Sequence, residues 1–177
     1  TTEAEQCPGS IHVLLPDSTS SPRWESDDRR FFQAAFQDAG LIDGPHYSIV
    51  NAQGDPAKQI AQAEAALADG ASVIVLTNLD SGSGAAIIEL ARNSGAAVID
   101  YDRLTVEGSG ADVYVSFDNV AVGQTMADVV GPEIDALGGT PNVVMLNGEP
   151  SDNNAARPPF QIVRDQPFNR RATAGAK

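Results

Sequence analysis

The sequence predicts an α/β fold: a doubly wound, mainly parallel sheet of six strands with helices on both faces. Three observations lead there. Apolar runs of four or five residues, rich in Val and Ile, recur along the chain. Longer segments between them carry apolar residues at helical spacing. Glycines and other turn formers stand at the junctions. Short strands that are apolar on both faces need helices on both sides, and that is the parallel arrangement.

The first strand is Ile11-His12-Val13-Leu14-Leu15, ended by Pro16. Ser18 to Pro22 is a loop of turn formers. From Trp24 to Ala39 the residues Phe31, Phe32, Ala35, Phe36 and Ala39 lie on one helical face, and Gly40 supplies the stop. Tyr47-Ser48-Ile49-Val50 is the second strand. Asp55 caps the next helix, with Pro56 in its favoured first position and Gly70 beyond its end. Ser72 to Leu76 is the third strand, and a helix follows from Ala85 to Asn93. Ala97 to Asp100 and Val113 to Ser116 are strands four and five. Asp118 or Asn119 caps a helix running to about Leu137, and Asn142 to Leu146 is strand six. The organisation expected is therefore a loose polar arm over 1–10, one lobe over 11–154, and an irregular tail over 155–177.

Composition narrows the function. The chain has 177 residues, 42% of them hydrophobic, and a net charge of −13. So acidic a surface repels nucleic acid and anionic membrane, and a neutral or cationic ligand suits it better. No apolar run approaches the roughly 20 residues that span a bilayer. The single cysteine, Cys7, excludes an internal disulfide. The tail differs in charge as well as pattern, holding five of the eleven bases and a single acid, Asp165.

In an open parallel sheet, ligands bind beyond the carboxyl ends of the strands. The loops there hold Asp17 and Pro22-Arg23-Trp24-Glu25 after strand one, and Asn78 to Gly84 after strand three. Tyr101-Asp102-Arg103 follows strand four, and Asn147 to Asn154 follows strand six. A sugar presents hydroxyls that donate and accept, and a ring face of C–H groups. Carboxylates and amides match the hydroxyls, a guanidinium donates a fixed fork, and an indole covers the ring face. Arg23, Trp24, Asp102, Arg103 and Asn154 form such a set. Each has a plainer reading. Trp24 could plug the core, Asp102 and Arg103 could form ion pairs with neighbours, and Asn153-Asn154 could simply turn the chain.

Catalytic groupings are sparse. His12 and His46 belong to no ligand-spaced cluster, Cys7 has no evident partner, and there is no Gly-x-Ser-x-Gly elbow. Gly82-Ser83-Gly84 lies between a strand and a helix and admits a phosphate reading. It lacks the third glycine of a dinucleotide fingerprint, where Ile87 stands, and the Lys-Ser/Thr ending of a P-loop. The plainer reading is a flexible lead into the helix.

Four segments carry a family resemblance: Arg23-Trp24-Glu25, Ile99-Asp100-Tyr101-Asp102-Arg103, Tyr114-Val115-Ser116-Phe117-Asp118-Asn119 with Val122-Gly123, and the run from Asn147 to Ala155. In this order and spacing they resemble the xylose-binding proteins of bacterial ABC importers, within the ribose/galactose-type periplasmic binding proteins. The likeness covers about residues 11–155. It implies a two-lobed extracytoplasmic protein, not an enzyme and without a cofactor. Such a protein closes on a monosaccharide such as xylose and presents it to a membrane permease. It assigns sugar contacts to Arg23, Trp24, Asp102, Arg103 and Asn154, with Asp152 as a further candidate, and a structural cap to Asp118 and Asn119. The departure is large: after Ala155 the resemblance implies a second lobe, whereas the remaining 22 residues look unlike one. A truncated reading frame, weak or absent sugar binding, and self-association through an exposed rim are the expectations that follow. The alternatives are the effector domain of a sugar-responsive regulator and a phosphate-ester-binding α/β enzyme domain. The first would need a helix-turn-helix, and residues 1–10 contain none.

Overall fold

The computed structural model describes residues 9–142 and 144. The chain divides into two units, Thr1–Ser116 and Phe117–Lys177. In the first, β1 (Ser10–Leu15), β2 (Tyr47–Asn51), β3 (Ala71–Leu76), β4 (Ala97–Tyr101) and β5 (Val113–Val115) make one sheet. Its order is β2-β1-β3-β4-β5 and every neighbouring pair is parallel. Five strands are thus present among the described residues, where the sequence predicts six. The sixth covers 142–146, of which only 142 and 144 are described, and neither belongs to a strand.

Side chains alternate across the sheet and build two cores. Leu14, Ile74, Leu76 and Val98 point to one face, where Ala63 and Ala66 of α2 (Pro56–Ala68) and Ile87, Ile88 and Ala91 of α3 (Ser81–Asn93) cover them. Val13, Leu15 and Val75 point to the other and meet Phe32 and Phe36 of α1 (Arg29–Asp38). Helices therefore lie on both faces, as the strand composition requires.

The helix boundaries follow local chemistry. The Asp55 carboxylate accepts the amides of Ala57 and Lys58 at 2.9 and 3.2 Å, and Pro56 opens α2. Gly70 then takes a left-handed φ of +86°, turning the chain straight into β3. The predicted helix at Ala85 begins earlier, at Ser81, because Asp80 caps it: its carboxylate accepts the Ser83 amide at 2.9 Å and the Ser83 hydroxyl at 2.8 Å. The segment expected as one helix from Trp24 to Ala39 starts with a turn of π-helix, Trp24–Asp28, in which the Arg29 amide reaches back to the Trp24 carbonyl. In the second unit α4 (Asn119–Leu137) is capped by Asp118, which accepts the amides of Val120 and Ala121, each at 3.0 Å. Of the predicted arm and tail, residues 1–8 and 155–177 lie outside the described residues.

The strand order reverses between β1 and β3, so the loops leaving their carboxyl ends part there and open a crevice. Ile74 sits at the centre of β3 with no solvent exposure. Replacing Ile74 with Ala is expected to cost about 2–5 kcal/mol, read as a lowered urea midpoint with an unchanged slope.

Candidate functional site

Asp100, at the end of β4, is a carboxylate with no solvent exposure. Such a group must be hydrogen-bonded, and Thr105 serves it twice, donating its amide at 2.6 Å and its hydroxyl at 3.0 Å. Burial still pushes the Asp100 carboxyl above its ordinary value, with the two Thr105 bonds acting the other way. The buried amide of Asn78, just beyond β3, donates to the Thr105 hydroxyl at 2.9 Å and to the Arg103 carbonyl at 3.1 Å. Gln59 of α2 supports the same corner from below, donating to the Thr77 carbonyl at 2.9 Å. A side chain at Gly84 would stand 2.8 Å from the Thr105 hydroxyl and 3.0 Å from Asn78 Cβ. The glycine of α3 is therefore required for this packing.

The loop 101–105 fixed in this way carries Asp102 and Arg103. Asp102 has a left-handed backbone, with φ +65°. Its amide donates to the Val115 carbonyl at 2.9 Å, and its carbonyl accepts the Tyr114 hydroxyl at 3.0 Å. Arg103 is buried and donates to the Asn78 carbonyl at 3.2 Å and to the Ser20 hydroxyl at 3.3 Å.

The opposite wall follows β1. Asp17 gathers the Ser18–Pro22 loop, accepting the Thr19 amide and the Ser20 hydroxyl, each at 2.6 Å, together with the Ser20 amide. Burial raises its carboxyl, but those bonds and the charge of Arg103 outweigh burial and leave it below its ordinary value. The π-turn is tied to β2. Arg29 pairs with Glu25 through Nε at 2.6 Å and reaches the Ile49 carbonyl at 2.6 Å, while Asn51 donates to Glu25 at 2.7 Å.

Between these walls, Arg23 Nη2 donates to the Asp102 carboxylate, and its Nε lies 3.4 Å from Asp28. The guanidinium stands over the Trp24 ring, 4.1 Å from its centroid, and that of Arg103 lies 5.7 Å from the same ring. The structure thus brings Arg23, Trp24, Asp102 and Arg103 together. Asp152 and Asn154 lie outside the described residues. Trp24 fits neither simple alternative. It is only 2% exposed, yet it belongs to neither apolar core and packs beside guanidinium groups. Its indole Nε1 has no hydrogen-bond partner among the described residues.

Chemically, this corner sets two guanidiniums, Arg23 and Arg103, against three carboxylates, Asp17, Asp28 and Asp102. A neutral, hydroxyl-rich molecule suits it better than an anion. The phosphate reading of Gly82-Ser83-Gly84 is not supported. The first turn of α3 already faces the Asp80 carboxylate, whose charge opposes an incoming phosphate, and Gly84 serves the Thr105 contact. Among the described residues no group of three His, Cys, Asp or Glu could hold a metal ion, and no helix is long and apolar enough to cross a membrane. Sequence reasoning missed Asp28, Gln59 and Thr105, which are polar residues with no spacing signal. Asn78 and Asp100 stood in noted segments without an assigned task.

Comparison with known proteins gives the class. A family described as "Periplasmic binding protein domain" matches residues 12–158, and the chain belongs to that family. The multiple sugar-binding periplasmic protein SbpA of Azospirillum brasilense is 31% identical over 151 residues, covering 82% of this chain and 40% of that protein. A D-xylose-binding periplasmic protein of Haemophilus influenzae is 31% identical over 142 residues, covering 80% of this chain and 40% of its own length. A carbohydrate transporter solute binding protein of Chloroflexus aurantiacus, solved in complex with D-glucose, superposes with a TM-score of 0.71 at 37% identity, over 84% of this chain and 41% of that one. An ABC transporter solute binding protein of Clostridium phytofermentans, with a TM-score of 0.75 at 24% identity, covers 88% of this chain and 46% of its own and shares the fold. The chain spans about 40% of the length of the curated relatives it matches. These relatives are sugar-binding periplasmic proteins and a carbohydrate transporter solute binding protein.

Two measurements test this construction. Gly84→Ala is expected to destabilise by about 1–3 kcal/mol through overpacking against Thr105, read by chemical denaturation. Because the Asp17 carboxyl is lowered on folding, its contribution is present at neutral pH and lost as pH falls below the ordinary aspartate range. The stability gap between the parent and Asp17→Asn should therefore be widest near pH 7 and narrow once pH falls below about 4. A gap independent of pH would contradict this.

Proposed function

We propose that this chain binds a monosaccharide, a xylose-like pentose, as part of the extracytoplasmic substrate-binding component of an ABC sugar importer. Arg23, Trp24, Asp102 and Arg103 are its proposed sugar-contacting residues, and the family resemblance adds Asn154 and Asp152 as candidates. The observation that carries the reading is the meeting of Arg23 with Asp102 beside Trp24, at the carboxyl ends of β1 and β4. Hydroxyls can accept from the guanidinium edges and donate to the carboxylates, and carboxylates that outnumber the guanidiniums disfavour an anion. Family membership and the sugar-binding relatives support the same conclusion. In the whole protein, a permease is the partner that would receive the sugar.

A polypeptide of these 177 residues offers the sugar one wall. Binding pockets ordinarily cover 70–90% of a small ligand's surface. With one side open to water, affinity should be on the order of millimolar. Two copies could instead meet through the exposed rim, which sedimentation would show as a dimer.

The test is an NMR titration of the labelled chain with D-xylose and, separately, D-glucose. Signals of Arg23, Trp24, Asp102 and Arg103 should shift together, with half-saturation in the millimolar range. If neither sugar moves them, the carbohydrate reading fails; a micromolar constant would instead overturn the single-wall expectation.

A further inference from the structure

We infer that Asp28 and Tyr101 are positioning residues that hold the Arg23 guanidinium in the orientation a ligand meets. The inference rests on the carbohydrate reading for what Arg23 touches, but its geometry stands apart from it. Asp28 is 6% exposed, unusual for a carboxylate in an amphipathic helical segment, and burial of that kind requires partners. One oxygen accepts the Tyr101 hydroxyl at 2.7 Å, and the other faces Arg23 Nε at 3.4 Å. Tyr101 is in turn fixed by an edge-on contact with Phe32 of α1, 5.0 Å between ring centres. Burial first, and then the bond to Asp28, push the Tyr101 hydroxyl up to about 12, so it stays a donor at every working pH.

The π-turn is what makes the arrangement reachable. Residues five apart diverge on an α-helix, but the wider turn from Trp24 to Asp28 draws position 28 back toward position 23. Arg23 is thereby restrained at two points: Nη2 donates a hydrogen bond to Asp102, and Nε lies in ion-pair range of Asp28, whose facing oxygen makes no hydrogen bond among the described residues. Its Nη1 makes no hydrogen bond among the described residues, and its side chain is 41% exposed. A fork anchored at two nitrogens presents the third in one direction, and less is lost in fixing it when a hydroxyl arrives. The Tyr101 backbone adjoins Asp102 and accepts the Arg103 amide at 2.8 Å, so the test removes only its hydroxyl, which bonds Asp28.

The experiment uses the full chain, labelled with nitrogen-15, in the absence of sugar. The Arg23 Nε–H signal, assigned by its disappearance in Arg23→Lys, should be dispersed and slow to exchange. In both Asp28→Ala and Tyr101→Phe that exchange should quicken about tenfold or more, while the amides of β1 and β3 keep their shifts. An unchanged Arg23 signal in Tyr101→Phe overturns the inference, and this milder variant serves even if Asp28→Ala does not fold. A second arm titrates the parent and Tyr101→Phe with D-xylose. Weaker binding by about tenfold in the variant supports the relay. Equal binding in both overturns it for ligand recognition. A parent that ignores the sugar while the exchange result holds sinks the carbohydrate reading and leaves the anchoring of Arg23 standing.

Discussion

A carboxylate with no access to water sits at the end of β4, and the loop beyond it is shaped by the need to satisfy that group. Asp100 draws the Thr105 amide and hydroxyl back toward the strand. The four residues between them must then arch, and Asp102 and Arg103 ride on the arch. Asn78 reads the same loop from β3, and Gly84 leaves room for it from α3. Three elements distant in sequence thus agree on one position for two side chains. Unmet hydrogen bonds in a buried site cost roughly 1–3 kcal/mol each, which is why a polar knot of this kind specifies geometry more sharply than apolar packing does.

The opposite wall is built on a different plan. It depends on ion pairs that are half wet. Glu25 and Arg29 fasten the π-turn to β2, and Arg23 spans the crevice to Asp102. Exposed pairs add little to stability, so these pairs serve orientation more than folding energy. An acidic protein surface surrounds a corner where charges of both signs meet. That contrast separates the role of overall acidity, which concerns solubility and long-range repulsion, from recognition, which is settled by a handful of groups.

Much of this was legible in the sequence. Apolar runs gave the strands because burial on both faces leaves no polar alternation. The Asp55-Pro56 pair and Asp118 marked their helix starts because side-chain capping leaves a local signature. The loops after β1, β3 and β4 were identifiable because the parallel sheet dictates which ends converge. The start of α3 was placed late, since Gly82 and Gly84 read as breakers while Asp80 caps the helix and the tight Thr105 contact demands a small residue. Trp24 could not be resolved from pattern, because an indole under a guanidinium is buried yet belongs to no apolar stripe. Asp28 was hidden for a different reason. It stands among Glu25 and Asp27 in an acidic stretch, and only the π-turn, which leaves no mark in the periodicity, singles it out.

The backbone at Asp102 narrows what evolution can write there. Left-handed conformations are taken most readily by Gly, Asn and Asp, though Gln53 of this chain adopts one too, with φ +59°. Of those three, glycine would release Arg23 altogether, and asparagine would offer it a dipole in place of a charge. Chain geometry and electrostatic demand, each permissive by itself, together favour aspartate at this position.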